Sequence, residues 1–296
     1  MNEQDWLADR FETHRPHLRS VAYRMLGSLS EAEDAVQESW LRLSRSDTSG
    51  VENLAGWLTT VVGRVCLDML RSRTSRREDP VGAHMPDPIF GEVDADGPEQ
   101  QVMLANSVGL AMLVVLDTLE PAERLAFVLH DMFAMPFADI GAAIGRSPEA
   151  ARQLASRARR RVQGVPAAPD ADLPRQREVV DAFFAAAHRG DFEALVAVLA
   201  PDVELRTDAR AMPAGTARHV VGAAAVAGQA LTFSRFGMNL GEVRQIVVNG
   251  GPAMVAVQNG RPQIVMAFTV AEGRISAIAI YADAARLATL DLGLDR

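Results

Sequence analysis

The chain has 296 residues, of which 48% are hydrophobic and 23% charged, and its formal net charge is −8. This length predicts two or three domains, and the acidic balance argues against a protein that coats nucleic acid along its whole length. The apolar runs are too short for a membrane span, the N-terminus has no secretion-signal pattern, and a single cysteine excludes an internal disulfide. We therefore expect a soluble, cytoplasmic protein without a membrane partner.

Two polar, proline-containing stretches divide the chain, and we interpret both as extended linkers rather than helices or strands. The segments before and between them show helical periodicity, whereas the last segment combines helices with strands. The predicted domains are residues 1–80 and 101–163, both all-α, and residues 175–296, which are α+β, with linkers at 81–100 and 164–174.

The stretch "SEAEDAVQESWLRLSR" predicts a first amphipathic helix with Ser30 as its N-cap. Its apolar stripe is predicted to face the core and contains Val36, Trp40 and Leu43. The opposite stripe is exposed and contains Asp34, Gln37, Glu38 and Leu41.

The stretch "NLAGWLTTVVGRVCLDMLRSRTSRRE" predicts a long helix capped by Asn53. Its inward residues are Leu54, Leu58, Val61 and Val65. Its second half is basic, with Arg64, Arg71, Arg73, Arg76 and Arg77 against the single acid Asp68. Periodicity alone leaves two interpretations open, a nucleic-acid contact or a solvated helix end whose arginines complement the helix dipole.

The stretch "PFADIGAAIGRSPEAARQLASRARRRV" predicts a helix-turn-helix. Gly145 ends the first helix, and Ser147 with Pro148 begins the second. The second helix is expected to pack through Ala151, Leu154, Ala158 and Val162.

The exposed face of this second helix carries side-chain types that read base edges in the major groove. The face consists of Glu149, Arg152, Gln153, Ser156, Arg157 and Arg160. The trailing Arg159, Arg160 and Arg161 suit phosphate contacts, which position a protein without specifying sequence. The alternative is an ordinary amphipathic hairpin with a charged surface, but six arginines against one acid between Arg146 and Arg161 favour DNA reading.

The last segment begins with two predicted helices, "RQREVVDAFFAAAHRG" and "DFEALVAVLAP". Four runs with strand character follow, "EVRQIVVNG", "PAMVAVQNG", "RPQIVMAFTVAEG" and "RISAIAIYA". Asn-Gly and Glu-Gly turns separate these runs, as expected of antiparallel hairpins. The pattern predicts an α+β domain.

The two helical segments resemble the extracytoplasmic-function (group IV) sigma factors of bacterial RNA polymerase. "EAEDAVQESWLRL" resembles region 2.2, "AGWLTTVVGRVCLDMLRSRTSRRE" resembles regions 2.3 and 2.4, and "LEPAERLAFVLHDMFAMPFADIGAAIGRSPEAARQLASRARRRV" resembles region 4. The resemblance implies a region 2 helical bundle and a region 4 helix-turn-helix. It implies that Asp34, Gln37, Glu38 and Leu41 bind the clamp helices of the polymerase core.

The same resemblance implies two promoter contacts. The −10 element would meet Arg64, Arg71, Arg73, Arg76 and Arg77, and the −35 element would meet Glu149, Arg152, Gln153, Ser156, Arg157 and Arg160. Where the family has an asparagine four residues before an aspartate, this chain has Arg64 before Asp68, so the role of that asparagine is not transferred.

The last segment resembles a SnoaL-like domain of the NTF2-like superfamily, a cone-shaped α+β fold. Sigma factors with this extension form the SigJ-type or ECF41-type subgroup, and "HMPDP" (residues 84–88) approximates its linker motif. The subgroup's glycine-rich "DGGGK" segment is "TDARAMPAG" here. The resemblance implies that the extension regulates sigma activity in cis. We expect it to contact the linker near residues 84–88 and a sigma domain.

Two other functions are alternatives to regulation in cis for the last segment. Some SnoaL-like proteins are enzymes, and Asp208, His219 and Asp283 are the available acids and base, but they show no paired spacing. A small-molecule ligand in an apolar cavity is the second alternative. We expect no catalytic residues, no cofactor and no metal site.

Overall fold

The computed structural model describes residues 3–46, 51, 53–76, 85–91, 109–163, 172–208, 219–235, 242–288 and 290. Packing divides the chain into two compact units, each assembled from two separate stretches of sequence. The first comprises Met1–Asp87 and Leu113–Val165, and the second comprises Pro88–Met112 and Pro166–Arg296.

The first unit begins with three helices, α1 (Glu3–Leu26), α2 (Leu29–Leu43) and α3 (Leu54–Arg76). The predicted inward residues Val36, Leu43 and Leu58 are fully buried. Trp40 is partly exposed, and its ring centroid lies 5.2 Å from that of Phe11 on α1. The apolar stripe of each helix therefore faces a shared core, as the periodicity predicted.

Of the two N-caps predicted for the first helices, the structure confirms one and contradicts the other. The side chain of Asn53 accepts a hydrogen bond from the Gly56 N–H at 3.0 Å, which confirms that cap. The prediction for Ser30 is wrong, because α2 already begins at Leu29. A carboxylate oxygen of Asp87 instead accepts the Leu29 N–H at 2.9 Å. A residue 58 positions along the chain supplies the cap, which local sequence rules do not detect.

Four helices and one π-helical turn follow, and they belong to the first unit from Leu113 onward. These are α4 (Leu110–Asp117), α5 (Pro121–Phe127), the π-helical turn Val128–Met132, α6 (Phe137–Ile144) and α7 (Pro148–Val162). Gly145 ends α6 with φ = 68°, a left-handed conformation that glycine adopts without strain. The Ser147 hydroxyl accepts the Ala150 N–H at 3.2 Å and caps α7. The predicted helix-turn-helix is therefore present.

The two helical segments pack directly against each other within this unit. A Cβ placed on Gly63 of α3 would lie 3.0 Å from a Leu125 methyl carbon of α5, so the two helices approach closely. Arg124 on α5 is buried and donates to the Met25 carbonyl oxygen of α1 at 2.9 Å and to the Asp117 carboxylate at 3.0 Å. The two helical segments, which the sequence presents as separate, therefore pack into one compact unit.

The second unit is an α+β fold. Its helices are α8 (Leu173–Arg189), α9 (Phe192–Val198), α10 (Ala223–Arg235) and α11 (Ala284–Leu287). Its strands are β1 (Phe90–Gly91), β2 (Leu199–Thr207), β3 (His219–Val221), β4 (Glu242–Val248), β5 (Gly251–Gln258), β6 (Arg261–Ala271) and β7 (Arg274–Tyr281). The described strands form one sheet in the order β1-β4-β5-β6-β7-β2-β3, antiparallel except for the β2–β7 pair.

The predicted hairpins are confirmed by their turns. Asn249 and Gly250 have φ values of 50° and 77°, and Asn259 and Gly260 have φ values of 52° and 71°. Two consecutive positive φ values are the signature of the tight turn that matches the strand twist. The Glu-Gly turn between β6 and β7 has the same conformation.

The sequence predicted the four strands β4–β7 but not the three strands β1, β2 and β3. The stretch "DFEALVAVLAP" is helical only to Val198, and β2 begins at Leu199. The first linker was predicted to have no strand, yet Phe90 and Gly91 pair with Val248 and Val247 of β4. Phe90 and Gly91 form a strand only because they pair with β4, which lies far along the chain. The linker sequence by itself therefore does not predict this strand.

Aromatic side chains fill the space between α8 and the sheet. Phe183, Phe184 and Phe268 form a triangle of edge contacts with ring centroids 5.6–5.8 Å apart. Leu195 of α9 and Val226 of α10 are fully buried in the same core. The helices α8, α9 and α10 therefore share one apolar core with the sheet.

Candidate nucleic-acid interface

The outer face of α7 presents the side chains predicted to read DNA. Five of the six are exposed and Ser156 is partly exposed; the exposed residues are Glu149, Arg152, Gln153, Arg157 and Arg160. The opposite face is buried and contains Ala151, Leu154, Ala155, Ala158 and Val162. The burial pattern therefore places the six side chains together on the free side of the second helix of a helix-turn-helix.

The arginines of α7 differ in what they contact. Arg157 Nε lies 3.0 Å from one carboxylate oxygen of Glu123 on α5, and Arg161 Nη1 lies 2.9 Å from the other. Arg159 Nε lies 2.6 Å from a carboxylate oxygen of Asp131 in the π-helical turn. Three cations at the C-terminal half of the helix are thus paired with two acids of the same unit.

Neither Arg152 nor Arg160 forms a salt bridge with a carboxylate among the described residues. The Arg152 guanidinium carbon lies 5.3 Å from the ring centroid of Phe137 on α6, a cation–π contact that leaves its N–H donors available. Arg160 is exposed on the outer face. The positive charge available to a DNA ligand is therefore smaller than the sequence count of arginines suggests.

The basic half of α3 also divides into paired and available side chains. Arg64 Nε and Nη2 donate to the Ala143 and Ala142 carbonyl oxygens of α6 at 3.1 and 2.5 Å. Arg73 forms an ion pair with Glu31 and donates to the Leu26 carbonyl oxygen at 3.4 Å. Arg71 is exposed. The Arg76 side chain and all of Arg77 lie outside the described residues.

The stripe predicted to bind the polymerase core lies along one side of α2. Asp34 and Gln37 are exposed, and Glu38 forms an ion pair with Arg42 at 3.0 Å. Leu41 is 44% exposed, although it lies on a helix whose neighbouring Leu43 is fully buried. Leu41 is thus one of the large hydrophobic side chains that are exposed among the described residues.

Three side chains make long-range contacts that the sequence does not predict. Asp87 caps α2 from the linker, Arg124 joins α5 to α1, and Glu123 holds two arginines of α7. The "AER" that contains Glu123 and Arg124 lies within the region 4 resemblance, but which side chains it meets depends on tertiary packing.

The candidates for catalysis in the second unit make structural contacts instead. One oxygen of Asp208 accepts the Ala282 and Asp283 N–H groups at 2.7 and 3.1 Å, and the other lies 3.3 Å from Arg286 Nη1. Asp283 caps α11, and His219 lies 3.1 Å from Glu204 at the exposed edge of the sheet. The three candidates thus bind backbone groups or neighbouring charges.

Two features are absent from the described residues. No helix among them is long and apolar enough to cross a membrane, and in that same part of the chain no three His, Cys, Asp or Glu side chains lie where they could hold a metal ion. Cys66 is fully buried, and burial raises the pKa of its thiol.

Family models and known proteins match most of the chain. Residues 10–76 match the Sigma-70 region 2 model, and residues 110–162 match the Sigma-70 region 4 model. The ECF RNA polymerase sigma factor SigJ of Mycobacterium tuberculosis is 40% identical over 279 residues, which cover 90% of this chain and 89% of that protein.

Solved structures match as well. The crystal structure of the M. tuberculosis sigma factor SigJ superposes with a TM-score of 0.72 and 36% identity, covering 96% of this chain and 99% of that chain. A crystal structure of an NTF2-like protein from Burkholderia xenovorans covers 40% of this chain and 96% of that chain, with 25% identity and a TM-score of 0.27.

Proposed function

Because this chain belongs to the extracytoplasmic-function family of RNA polymerase sigma factors, we propose that the side chains described above are its promoter-reading and core-binding residues. The observation that supports this proposal most directly is the outer face of α7. There, exposed side chains of the types that read bases lie together on a helix-turn-helix whose other face is buried. Arg152 and Gln153 lie near the N-terminal end of α7, the end that a recognition helix inserts into the major groove.

Within the −35 set, the available side chains carry different tasks. Arg152 and Gln153 are exposed and of the side-chain types that pair with guanine and adenine edges, and Glu149 is of the type that accepts from a cytosine amine. Arg160 supplies a phosphate contact, which sets register without reading sequence. Arg157 belongs to the set by position, but its guanidinium is paired with Glu123.

The −10 contact is proposed for the basic half of α3. Arg71 is exposed, and Arg76 and Arg77 extend the same sequence run. Arg64 and Arg73 join this set only when they leave the carbonyl oxygens and the carboxylate that they now contact. The core-binding surface is the α2 stripe Asp34, Gln37, Glu38 and Leu41, with Leu41 as its apolar centre.

The packing of the first unit has a consequence for promoter binding. The −10 and −35 elements are, by their names, roughly 25 base pairs apart, which is about 85 Å along B-form DNA. Arg64 of α3 contacts α6, which leads through a tight turn into α7, so the two DNA-reading helices α3 and α7 lie much closer than that. We infer that this unit is a closed state and that promoter binding requires α3 and α6 to separate.

The fused second unit is proposed to control this opening through the first linker. Within the first unit, Asp87 caps α2 and its N–H donates to the Gly27 carbonyl oxygen at 2.7 Å. Within the second unit, Ile89 exchanges two hydrogen bonds with Asn249, its N–H donating to the side-chain oxygen at 3.0 Å and its carbonyl accepting the backbone N–H at 2.8 Å. Only Pro88 separates these anchored residues.

This linker contact lies next to the predicted one. The sequence predicts the contact near residues 84–88, and the strand pairing begins just beyond, at Phe90. His84 lies outside the described residues. Because a short anchored linker transmits strain between the elements it joins, the sheet edge is the proposed point of regulation in cis.

A catalytic role for the second unit is not proposed, because Asp208, His219 and Asp283 are engaged in structural contacts. The alternative function for the second unit is that of a ligand sensor. The Phe183–Phe184–Phe268 cluster bears on this alternative, because its three rings occupy the core between α8 and the sheet. We propose that the factor acts in the cytoplasm together with the polymerase core.

The test is in vitro transcription with core polymerase on a genomic library from the source organism. The full chain is compared with a chain ending at Val165, and deletion should change transcription from a recovered promoter several-fold. Adding residues 175–296 in trans should restore the effect only weakly, because the covalent tether raises the effective concentration. Failure to direct initiation at any promoter would refute the proposal.

A matched pair of variants tests the linker mechanism. Asn249→Gly removes the side-chain acceptor of Ile89 and keeps a residue that tolerates φ = 50°, and Asn259→Gly makes the same change in an exposed turn of the same type. Asn249→Gly should reproduce part of the deletion effect, and Asn259→Gly should leave transcription at the native level. Equal effects of the two variants would refute regulation through the linker.

A further inference from the structure

Glu123 holds two arginines of the recognition helix with one carboxylate. Its side chain is 7% exposed and reaches Arg157 and Arg161, whose side chains are 50% and 52% exposed. The two arginines are four residues apart, so they lie on the same side of α7, one turn above the other. A single buried acid therefore fixes both guanidinium groups on the α5 side of the helix.

A carboxylate in this position restrains the rotation of α7. Its two oxygens pair with separate arginines at 3.0 and 2.9 Å, which is a forked contact rather than a single point. Rotation of α7 about its axis would lengthen both distances. Since Arg152 and Gln153 lie on the same helix, the fork also sets the direction in which these base-reading side chains point.

Pairing with Glu123 also reduces the positive charge that Arg157 and Arg161 offer to DNA. An arginine that neutralises a phosphate contributes to affinity without contributing to sequence discrimination. Arginines whose charge is already matched by Glu123 offer less to a phosphate. This accounts for an arginine-rich recognition helix in a protein that must not bind DNA indiscriminately.

We propose that Glu123 is a positioning and specificity-determining residue of the −35-reading helix, which limits sequence-independent DNA binding by holding Arg157 and Arg161. This inference rests on the proposed function of α7. It assigns Glu123, which lies on α5 and touches no DNA in this proposal, a role in promoter discrimination.

The test variant is Glu123→Gln, which keeps the size of the side chain and removes its charge. Binding of the full chain to a random-sequence 40-base-pair duplex is measured as a function of salt concentration. Release of two arginines should steepen the slope of log Kobs against log salt by up to about 1.8, because each phosphate contact contributes about 0.9. Between 50 and 200 mM salt this corresponds to an additional loss of about 12-fold.

The control is Glu120→Gln, an identical charge change at an exposed position just before α5. Among the described residues no arginine pairs with the Glu120 side chain, so the slope of this variant should equal that of the native chain. A second variant, Asp131→Asn, releases Arg159 by the same mechanism and should steepen the slope by about 0.9. It keeps the proposal testable if Glu123→Gln does not fold.

The outcomes separate this inference from the proposed function. A steeper slope for Glu123→Gln and Asp131→Asn, with Glu120→Gln unchanged, supports it, and a smaller affinity ratio between a recovered promoter and the random duplex supports its specificity component. An unchanged or shallower slope, or equal changes in Glu123→Gln and Glu120→Gln, overturns it. The random-duplex assay needs no promoter, so it reports on Glu123 even if no promoter-specific transcription is found.

Discussion

The Arg64 guanidinium, on the helix expected to meet the −10 element, donates its Nε–H to the carbonyl oxygen of Ala143 at 3.1 Å. Ala143 lies in the last turn of α6, where carbonyl oxygens without helical partners carry partial negative charge. An arginine at this position is therefore a suitable ligand for the helix C-terminus. The same side chain cannot contact DNA while it holds α6.

Arg64→Gln should open the first unit, because it removes charge-assisted donors to both the Ala142 and the Ala143 carbonyl oxygens. The measurement is energy transfer between dyes on cysteines introduced at the exposed Ser46 and Gln163. Cys66 is buried and its thiol pKa is raised, so it does not compete for labelling. Transfer efficiency should fall for Arg64→Gln and stay at the native value for the exposed Arg71→Gln.

If both variants give native transfer efficiency, Arg64 does not hold the closed state. A fall for both would indicate a general effect of charge on α3 rather than the specific contact with α6.

Leu41→Ala and Leu43→Ala should separate core binding from stability. Leu41 is 44% exposed, so its truncation should change the free energy of unfolding by less than about 0.5 kcal/mol and weaken binding to core polymerase. Leu43 is fully buried, so the same truncation should cost about 2–5 kcal/mol. Urea unfolding and co-elution with core polymerase measure the two effects. Native core binding by Leu41→Ala would remove this stripe from the interface.

Arg152→Ala and Arg160→Ala should weaken DNA binding in different ways. If Arg152 reads a guanine, its loss should cost about 1–3 kcal/mol on a recovered promoter and relax the preference at one base pair. Loss of Arg160 should weaken binding to all sequences similarly and reduce the salt slope by about 0.9. Competition assays on single-base promoter variants measure the difference. Uniform weakening by Arg152→Ala would reassign it to a phosphate.

Asp208→Ala should destabilise the second unit, because it removes the acceptor of two backbone N–H groups and the partner of Arg286. We expect a loss of about 2–4 kcal/mol, since hydrogen bonds to a charged group contribute about 1.5–3 kcal/mol each and do not add fully. His219→Ala removes one exposed side-chain contact, that with Glu204, and should cost less than about 1 kcal/mol. Denaturant unfolding measures both. A stable Asp208→Ala chain would return Asp208 to the list of candidate functional acids.

The sequence alone determined the elements whose physics is local. The caps at Asn53 and Ser147 depend on a backbone N–H three residues away, and the turn at Gly145 depends on one φ angle. The Asn-Gly hairpin turns follow the same rule. Helical periodicity likewise separated the outer face of α7 from its buried face, because residues three and four apart share a side of a helix.

The tertiary structure alone decided which distant groups meet. Asp87 caps a helix 58 residues earlier, Arg64 reaches α6 across 79 residues, and Ile89 binds Asn249 across 160. Glu123 pairs with only two of the six arginines, although the sequence pattern does not distinguish these two from the other four. These pairings depend on how whole helices and strands pack. A sequence pattern over one or two helical turns therefore contains no information about them, because only the folded chain brings the paired groups to within about 3 Å of each other.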